Sequence, residues 1–559
     1  MKKYFFIKLL VVCIFIVIAY MICDLTKYYV RPIYYKENEN RVIINDTEVT
    51  RNLPDVALFK NDKIMLSFDT IKKYFDEYIY FDEKYETVIV TSDVDVVKLK
   101  LDENKINING NERNIVTAAC IIDGEIYVPI EELQNIYDIE TLYNEKIIIT
   151  TSDANYSNIQ MDNKGRIKLY KRQTSLTTGK FNKEDVITVF SGDEDSEYTK
   201  VRTSNGDLGY IKKDKINGNI IYKNELDKEQ IPEKTKINLT WEYAENYTPN
   251  RSGQSKIDGV NVISPTWIYM KNESGDIRNT ISTDYISWAK SVGYDLWPTL
   301  KNDLMGLEKT SQLVTDMYAR EQIINNVVEI AKKYDFEGIN LDFEYMYMED
   351  RDEFSEFVRE FSATLRRNGL IASVDVNVPD GSANWSLCYD HKPIADSADY
   401  LVLMAYDQYG KSQDGPVASL TWVETNIQKL IEREEIDSSK IILGVPFYSK
   451  YRKNKITMSG EIEIQENITS STLYMNNAKN YLSNSKYKNS VIWNEEMGQY
   501  YIEYRNQNIV ERIWIEDENA LKEKVKLVNK YNLAGVASWR WGFETSDAWK
   551  VINNTLNEN

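Results

Sequence analysis

Histidine is almost absent from this chain of 559 residues, which contains only His391. A zinc peptidase or amidase uses two or three imidazole ligands, and Ser-His or Cys-His catalysis would have to depend on this single residue. His391 stands in the polar stretch Asp390-His391-Lys392-Pro393 with no motif around it. We therefore expect it on the surface or in a loop, and we expect the chemistry of the protein to depend mainly on carboxylates.

Cysteine is scarce as well. Cys13 and Cys23 lie in an apolar N-terminal segment, and Cys120 and Cys388 are far apart in the sequence. No CxxC spacing occurs, so the sequence has neither a disulfide framework nor a familiar metal or redox motif. Nothing in the sequence indicates a metal or an organic cofactor.

The chain has fewer positively than negatively charged side chains, with 68 lysines and arginines against 87 aspartates and glutamates. Its formal net charge is -19. Such an acidic surface repels phosphate backbones, which argues against nucleic acid as a partner. Aromatic residues are plentiful, with 40 tyrosines and 11 tryptophans. Aromatic rings stack well on sugars, although most of them fill cores.

The N-terminal segment is the longest apolar stretch. Residues 4–23 carry a single charge, at Lys8, and follow Lys2 and Lys3. Their length and basic flank favour an uncleaved membrane anchor within residues 1–30 over a cleaved signal peptide, with the body of the protein outside the cytoplasm. We therefore expect a single-pass protein of the cell membrane.

Two small β-rich regions follow the predicted anchor. Residues 41–151 contain a strand, short helix, strand unit twice, the second with the step "YVPIEEL". This repeat resembles the copper-amine-oxidase N-terminal-like domain; it contains no histidine, so copper is not implied and a stalk or wall-contact role is expected. Residues 157–222, with Asn-Gly and Leu-Gly-Tyr turn signals, resemble bacterial SH3-like domains of wall-directed enzymes. The polar residues 223–234 are predicted to be a linker.

Residues 235–559 alternate β-type runs with helical stripes such as Phe354, Phe357, Phe361 and Leu365. This alternation predicts an α/β fold with a parallel sheet, and eight strands fit a (β/α)8 TIM barrel. Residues 449–515 are too long for one connection, so an insertion is expected before the last strand. The predicted strands are Ile237–Trp241, Val260–Pro265, Tyr294–Leu300, Gly338–Glu344, Ile371–Val378, Tyr400–Tyr406, Ile441–Phe447 and Gly535–Trp541.

The fourth predicted strand carries the candidate chemistry. Side chains alternate along a strand, so Asn340, Asp342 and Glu344 share one face, and the apolar residues between them share the other. In a barrel the apolar face meets the helices, which directs the three polar groups inward. Glu344 would then stand at the carboxyl end, where barrel active sites form. Close carboxylates separate each other's proton affinities, which can leave one of them as an acid near neutral pH.

The segment "EGINLDFE" resembles the DGxDxDxE signature of glycoside hydrolase family 18, the chitinase-like family. Met404-Ala405-Tyr406-Asp407 resembles the family's M-x-Y-D step, and Trp539 in "ASWRWG" matches the tryptophan that forms the floor of the sugar subsite. The segments "PTWIYM", "ILGVPFY" and "GPVASLTWVE" look closer to the spore-cortex and cell-wall branch than to true chitinases. The resemblance covers residues 235–559.

The resemblance implies substrate-assisted retention, an exception to the two-carboxylate scheme. Glu344 would act as the acid and later as the base, Asp342 would orient the acetamido N–H, and Tyr406 would bind the acetamido oxygen. Trp539 would stack under the sugar ring, and Asp407 and Trp541 are further candidates for sugar contact. The substrate would be an N-acetylated glycan.

Asn340 departs from the family pattern, which has an aspartate there that helps to hold a proton on the middle carboxyl group, here Asp342. We expect its amide to hydrogen-bond Asp342 and to change the pH dependence of catalysis rather than abolish it.

Three functions stay open at this stage. The first is cleavage of β-1,4 bonds next to N-acetylglucosamine in cell-wall or spore-cortex peptidoglycan. The second keeps the fold but takes chitin or an N-glycan as substrate. The third is a wall-binding scaffold with a silent barrel; the presence of Glu344, Asp342 and Tyr406 argues against it.

Overall fold

The computed structural model describes residues 41–51, 56–143, 146–151, 154–173, 175, 177–192, 195–216, 235–302, 305–410, 413–459 and 462–558. The predicted anchor and the predicted linker lie outside these residues. Within them, no helix has the length and apolar character needed to cross a bilayer. The chain forms two compact units: the first lies within residues 1–79, 100–105 and 114–230, and the second within residues 80–99, 106–113 and 231–559.

The first unit begins with two four-stranded sheets that contain the predicted repeat. Strand Lys63–Ser67 leads into helix Phe68–Tyr74, and Glu125–Pro129 leads into the 3-10 turn Ile130–Glu132. Both copies of the repeated element thus form a strand followed by a short helical segment, and their two strands pair antiparallel. The sheets have the strand orders Ile139–Tyr143, Ile147–Thr151, Val42–Ile44, Thr47–Glu48 and Cys120–Ile122, Glu125–Pro129, Lys63–Ser67, Ala57–Lys60.

The first unit continues with a six-stranded antiparallel sheet in the region expected to be β-rich. Its inner face buries Ile167, Val189 and Val201 together with Phe181. Gly206 in the predicted Asn-Gly turn has a φ of +74°, which glycine adopts without strain. The likeness to SH3-like domains stays a prediction. The strands are Tyr156–Gln160, Gly165–Lys168, Thr177–Phe181, Val186–Phe190, Tyr198–Thr203 and Leu208–Lys212.

The second unit contains the predicted barrel. All eight predicted strands are present, each pairs in parallel with its neighbours, and the eighth, Gly535–Trp539, pairs with the first, Ile237–Glu242, to close the ring. The third strand is interrupted at Pro298, which has no N–H to donate to a neighbouring strand. Its first piece pairs with the second strand and its second piece with the fourth. The strands are β1 Ile237–Glu242, β2 Val262–Pro265, β3 Asp295–Leu296 with Thr299–Lys301, β4 Gly338–Asp342, β5 Ile371–Val376, β6 Tyr400–Met404, β7 Ile441–Pro446 and β8 Gly535–Trp539.

Helices cover the outside of the barrel. The predicted stripe of Phe354, Phe357, Phe361 and Leu365 is fully buried against the strands. The helices are Thr283–Val292, Gly306–Val314, Met317–Tyr334, Arg351–Arg367, His391–Ser397, Leu420–Gln428 with the π-helical Lys429–Arg433, Glu518–Lys530 and Ala548–Leu556. Two short strands, Ile268–Met270 and Ile277–Asn279, extend the sheet beside β3.

The expectation of an exposed or loop histidine is wrong. His391 begins a helix and is buried, and its Nε2 lies 2.8 Å from the carbonyl oxygen of Asn377. Burial lowers the pKa of His391, because the charged imidazolium loses its hydration. The polar residues that flank His391 in the sequence gave no sign of this burial, which the tertiary structure supplies.

The insertion expected before the last strand is present between β7 and β8. It forms a five-stranded antiparallel sheet and one helix around a small core of its own. Its elements are Tyr448–Ser459, Ile462–Tyr474, helix Met475–Ser483, Val491–Asn494, Gln499–Asn506 and Ile509–Ile515.

A second small sheet from the N-terminal half of the chain packs on the barrel helices. Arg320, which is 0% exposed, pairs with Glu360 at 2.9 Å and lies 3.8 Å from Asp82. Lys98 lies 3.3 Å from Glu360. These ion pairs explain why residues 80–99 and 106–113 belong to the same unit as the barrel, which sequence patterns did not indicate. The strands are Tyr80–Asp82, Thr87–Thr91, Val96–Lys100, Lys105–Ile108 and Asn111–Asn114.

We expect Arg320→Met to lower the free energy of unfolding of the second unit by about 3–5 kcal/mol, because it leaves Asp82 buried without its cation and Glu360 paired with Lys98 alone. Urea unfolding followed by tryptophan fluorescence measures this, since all 11 tryptophans lie between residues 241 and 549. The control is Lys84→Met, which removes an exposed pair with Asp316 and should change stability by less than about 1 kcal/mol. Equal effects of the two substitutions would contradict the prediction.

Candidate active site

A cleft of about 930 Å³ lies at the carboxyl ends of the barrel strands. Five of the predicted site residues line it together: Asp342, Glu344, Tyr406, Asp407 and Trp539. Its volume is within the usual range for pockets that bind small organic ligands. Other residues on its walls are Trp241, Lys301, Tyr345, Asp375, Asn377, Trp385, Gln408, Trp422, Tyr448 and Lys450.

The backbone of Glu344 is fixed on both sides of the peptide. Asn302 accepts a 2.9 Å hydrogen bond from the Glu344 N–H and donates one of 2.9 Å to the Glu344 carbonyl oxygen. Tyr389 donates from its hydroxyl to the carbonyl of Phe343 at 2.7 Å. Tyr345, next in the chain, has a φ of +54°, an uncommon conformation of the kind that concentrates at functional sites. The side chain of Glu344 is half-buried, and the backbone from which it projects has little freedom to move.

Asp342 lies deeper in the cleft and is 4% exposed. The Nζ atom of Lys301 on β3 lies 3.6 Å from its Oδ2, and the same ammonium is 4.0 Å from Glu245. A carboxylate so deeply buried requires a nearby positive charge or hydrogen-bond donors. Lys301 supplies that charge from the neighbouring strand.

Asn340 is fully buried beneath the cleft rather than on its wall. Its Oδ1 accepts from the indole N–H of Trp241 at 2.9 Å, and its Nδ2 donates to Ser373 at 3.1 Å and to Asp375 at 2.7 Å. We expected the amide to hydrogen-bond Asp342; both amide protons instead face β5. Parallel pairing places Asn340 beside Ser373, so both amide protons are directed toward β5.

Tyr406 and Asp407 follow the end of β6. Burial, with Asp375 close by, raises the pKa of the Tyr406 hydroxyl well above its usual value, so it stays a donor at neutral pH. Asp407 has a φ of +55°, and its carboxylate lies 2.5 Å from the Nζ of Lys450. From the wall of the cleft, Asp407 can contact a sugar while its carboxylate stays paired with Lys450.

The two tryptophans of the eighth strand have different surroundings. Trp539 is half-buried, lines the cleft and packs edge to face against Trp241, with ring centroids 5.7 Å apart. Trp541 packs under the guanidinium of Arg251, 3.8 Å from its ring, and beside Trp288. The structure therefore brings Trp539 to the cleft and places Trp541 in the surrounding packing.

Sequence reasoning missed three residues that form the site: Asn302, Lys301 and Asp375. A signal for Asp375 was present, because Ser373, Asp375 and Asn377 alternate with apolar residues as in the fourth strand. Asn302 and Lys301 had no comparable local signal. Among the described residues, no group of three or more histidine, cysteine, aspartate or glutamate side chains is arranged to hold a metal ion.

Comparison with known proteins agrees with this geometry. The family described as "Glycosyl hydrolases family 18" matches residues 306–544, and "Copper amine oxidase N-terminal domain" matches residues 36–150. The "Uncharacterized glycosylase YvbX" of Bacillus subtilis is 26% identical over 302 residues, which are 52% of this chain and 83% of that protein.

Two further matches are to cortex-lytic enzymes of Bacillus species. The "Cortical fragment-lytic enzyme" of Bacillus subtilis is 25% identical over 269 residues, 46% of this chain, and the match spans 58% of that enzyme. The spore cortex-lytic enzyme SleL of Bacillus megaterium, whose crystal structure is known, is 20% identical in sequence and has a TM-score of 0.49 against this chain. The match covers 58% of this chain and 75% of that one. By its family match, this chain contains a glycoside hydrolase domain of family 18, preceded by a copper amine oxidase N-terminal domain.

Proposed function

We propose that the protein cleaves β-1,4 glycosidic bonds next to N-acetylglucosamine in bacterial cell-wall or spore-cortex peptidoglycan. The observation that carries this proposal is the meeting of Asp342, Glu344, Tyr406 and Trp539 in one cleft at the carboxyl ends of the strands. The relative described as a cortical fragment-lytic enzyme supports a wall glycan over chitin. Chitin or an N-glycan is the alternative substrate.

In the proposed mechanism, Glu344 protonates the oxygen of the scissile bond as the leaving sugar departs. The 2-acetamido carbonyl of the substrate attacks the anomeric carbon and forms an oxazolinium ion. Asp342 accepts from the acetamido N–H and stabilises the positive charge, while Tyr406 donates to the acetamido oxygen. Glu344 then takes a proton from the water that opens the ion, which restores the acid and retains the configuration.

Trp539 supplies the surface on which the reacting sugar rests. Its half-buried ring packs edge to face with Trp241, which supports it from within the barrel. Stacking of an aromatic face on a sugar ring positions the anomeric carbon without adding charge to the cleft. Binding and chemistry are thereby assigned to different side chains of the same site.

We also propose that residues 1–30 anchor the protein in the cell membrane with the barrel outside the cytoplasm. The apolar run flanked by lysines supports this. Protease added to intact protoplasts should degrade the barrel; a protected barrel would contradict the proposed orientation.

We expect Glu344→Gln to reduce kcat roughly a thousandfold, because one carboxyl acts as both acid and base in the proposed cycle. The full chain and the variant are incubated with purified peptidoglycan, spore cortex and chitin oligomers. New reducing ends are then identified by borohydride reduction and mass spectrometry. The proposal requires reducing-end N-acetylglucosamine from peptidoglycan or cortex.

The matched control for that experiment is Glu349→Gln, which makes the same chemical change at an exposed glutamate and should leave kcat unchanged. Product from chitin oligomers alone would replace the substrate with the alternative. Absence of product from all three glycans, with binding retained, would favour a wall-binding scaffold.

We expect Asn302→Ala to lower kcat by roughly 10–100-fold with little change in KM, because loss of both backbone hydrogen bonds lets Glu344 move by a fraction of an ångström. Steady-state kinetics on the glycan that yields product in the preceding experiment measures this. Thr310→Val removes only the 3.1 Å bond that Asn302 donates to Thr310, and it should have a smaller effect. A rise in KM alone would mean that Asn302 contributes to binding and not to the position of the acid.

A further inference from the structure

One buried carboxylate of the cleft has no role in the mechanism described so far. Asp375 on β5 is 1% exposed and lines the cleft. In the parallel register Leu341 pairs with Val374, so Asp342 and Asp375 come next on the two strands and point to the same interior. The two carboxyl groups are therefore neighbours across the β4–β5 pair.

The orientation of the Asn340 amide is fixed by a partner that can only donate. The indole N–H of Trp241 has no acceptor capacity, so the atom 2.9 Å from it must be the amide oxygen. Ser264 lies 3.3 Å from the same oxygen. The amide nitrogen consequently faces β5 and donates to Asp375 at 2.7 Å.

An aspartate at position 340 would place two carboxyl groups face to face at this distance. Close carboxyl groups cannot both ionise without a large cost, so one of the two would have to hold a proton. The amide removes that conflict and anchors Asp375. The inner carboxyl group has thus moved from β4, where the family pattern has it, to β5.

The surroundings of Asp375 favour its protonated form. Burial and the nearby charge of Asp342 raise its pKa well above the usual value, and Glu344 acts in the same direction. The Asn340 hydrogen bond and the Lys301 ammonium oppose the shift, and the Tyr406 hydroxyl faces the group from β6.

We propose that Asp375 is a positioning residue that takes over the role of the missing aspartate at position 340: anchored by Asn340, it shares a proton with Asp342. Asp342 is then held with one oxygen turned toward the acetamido N–H of the substrate. This inference rests on the proposed function, because it assigns Asp375 a part in the same reaction.

The shared proton gives the inference a pH signature. Because its pKa is raised, Asp375 should lose its proton at a higher pH than an ordinary aspartate, and repulsion from Asp342 would then disturb the site. In the intact protein, kcat should therefore fall with rising pH through the ionisation of Asp375 in addition to that of the general acid. In Asp375→Asn only the ionisation of the general acid should remain.

The first test is Asp375→Asn, which keeps the shape of the side chain and an oxygen for Asn340. We expect kcat to fall by roughly 10–100-fold with KM nearly unchanged, because Asp342 would lose the group that holds it in orientation. The matched control is Asp335→Asn, whose side chain is 95% exposed and whose kcat should equal that of the intact protein. An unaltered kcat and an unaltered alkaline limb in Asp375→Asn would overturn the inference.

The second test exchanges the two groups. Asn340→Asp alone should reduce kcat at least as much as Asp375→Asn, because it creates the carboxyl pair that the amide avoids. The double variant Asn340→Asp with Asp375→Asn restores one carboxyl and one amide, and we expect it to recover kcat to within roughly tenfold of the intact protein. A double variant no more active than either single variant would refute the exchange.

A substrate-free measurement separates this inference from the proposed function. Infrared difference spectra of the intact protein minus Asp375→Asn at neutral pH should show the carbonyl band of a protonated carboxylic acid. Its absence overturns the inference whatever the activity. Its presence in a protein that cleaves none of the glycans would support a protonated Asp375 and overturn only the assigned reaction. Thermal unfolding of each variant confirms that the fold is intact.

Discussion

Burial of charge inside the barrel is the constraint on which the site depends. The inward face of the strands carries Asp342 and Asp375 where solvent barely reaches them. A carboxylate in such a place is tolerated only with compensating charge, hydrogen bonds or a proton. Lys301 supplies the charge from β3, and the Asn340 amide supplies the hydrogen bond from below. The two buried carboxyl groups and the groups that compensate them thus lie on three adjacent strands, β3, β4 and β5.

Charges are also buried on the outer surface of the barrel, where ion pairs between side chains of opposite charge compensate them. Arg320 and Glu360 are both inaccessible to solvent, and the small sheet of residues 80–113 contributes Asp82 and Lys98 to their cluster. These charges face helices, not strands, and none of them lines the active-site cleft. Their effect is to make the small sheet part of the barrel unit. The region matched by the copper amine oxidase N-terminal domain is therefore shared between the two compact units.

Local sequence patterns predicted most of the architecture and the centre of the site. Alternation along the fourth strand placed Asp342 and Glu344 correctly in the interior, and helical spacing identified the buried phenylalanines. What the sequence did not indicate depends on contacts between distant segments. Asn302 reaches Glu344 across 42 positions, and Lys98 reaches Glu360 across more than 260. His391 looked exposed because its neighbours in sequence are polar, whereas the groups that cover it come from elsewhere in the fold.

Asn340 shows why a departure from a family pattern is best judged in three dimensions. In the sequence it is an isolated loss of a carboxyl group, with an unspecified effect on Asp342. In the structure the lost carboxyl group is balanced by Asp375, 35 positions later and 2.7 Å away. Relative to the DGxDxDxE pattern, one inner carboxyl group is absent from β4, and Asp375 provides one on β5. Because Trp241 fixes which end of the amide faces β5, Asn340 can donate to an oxygen at position 375 but cannot accept from a donor there without turning over. The two positions therefore constrain each other, because the residue at position 375 must present an oxygen as long as position 340 is asparagine.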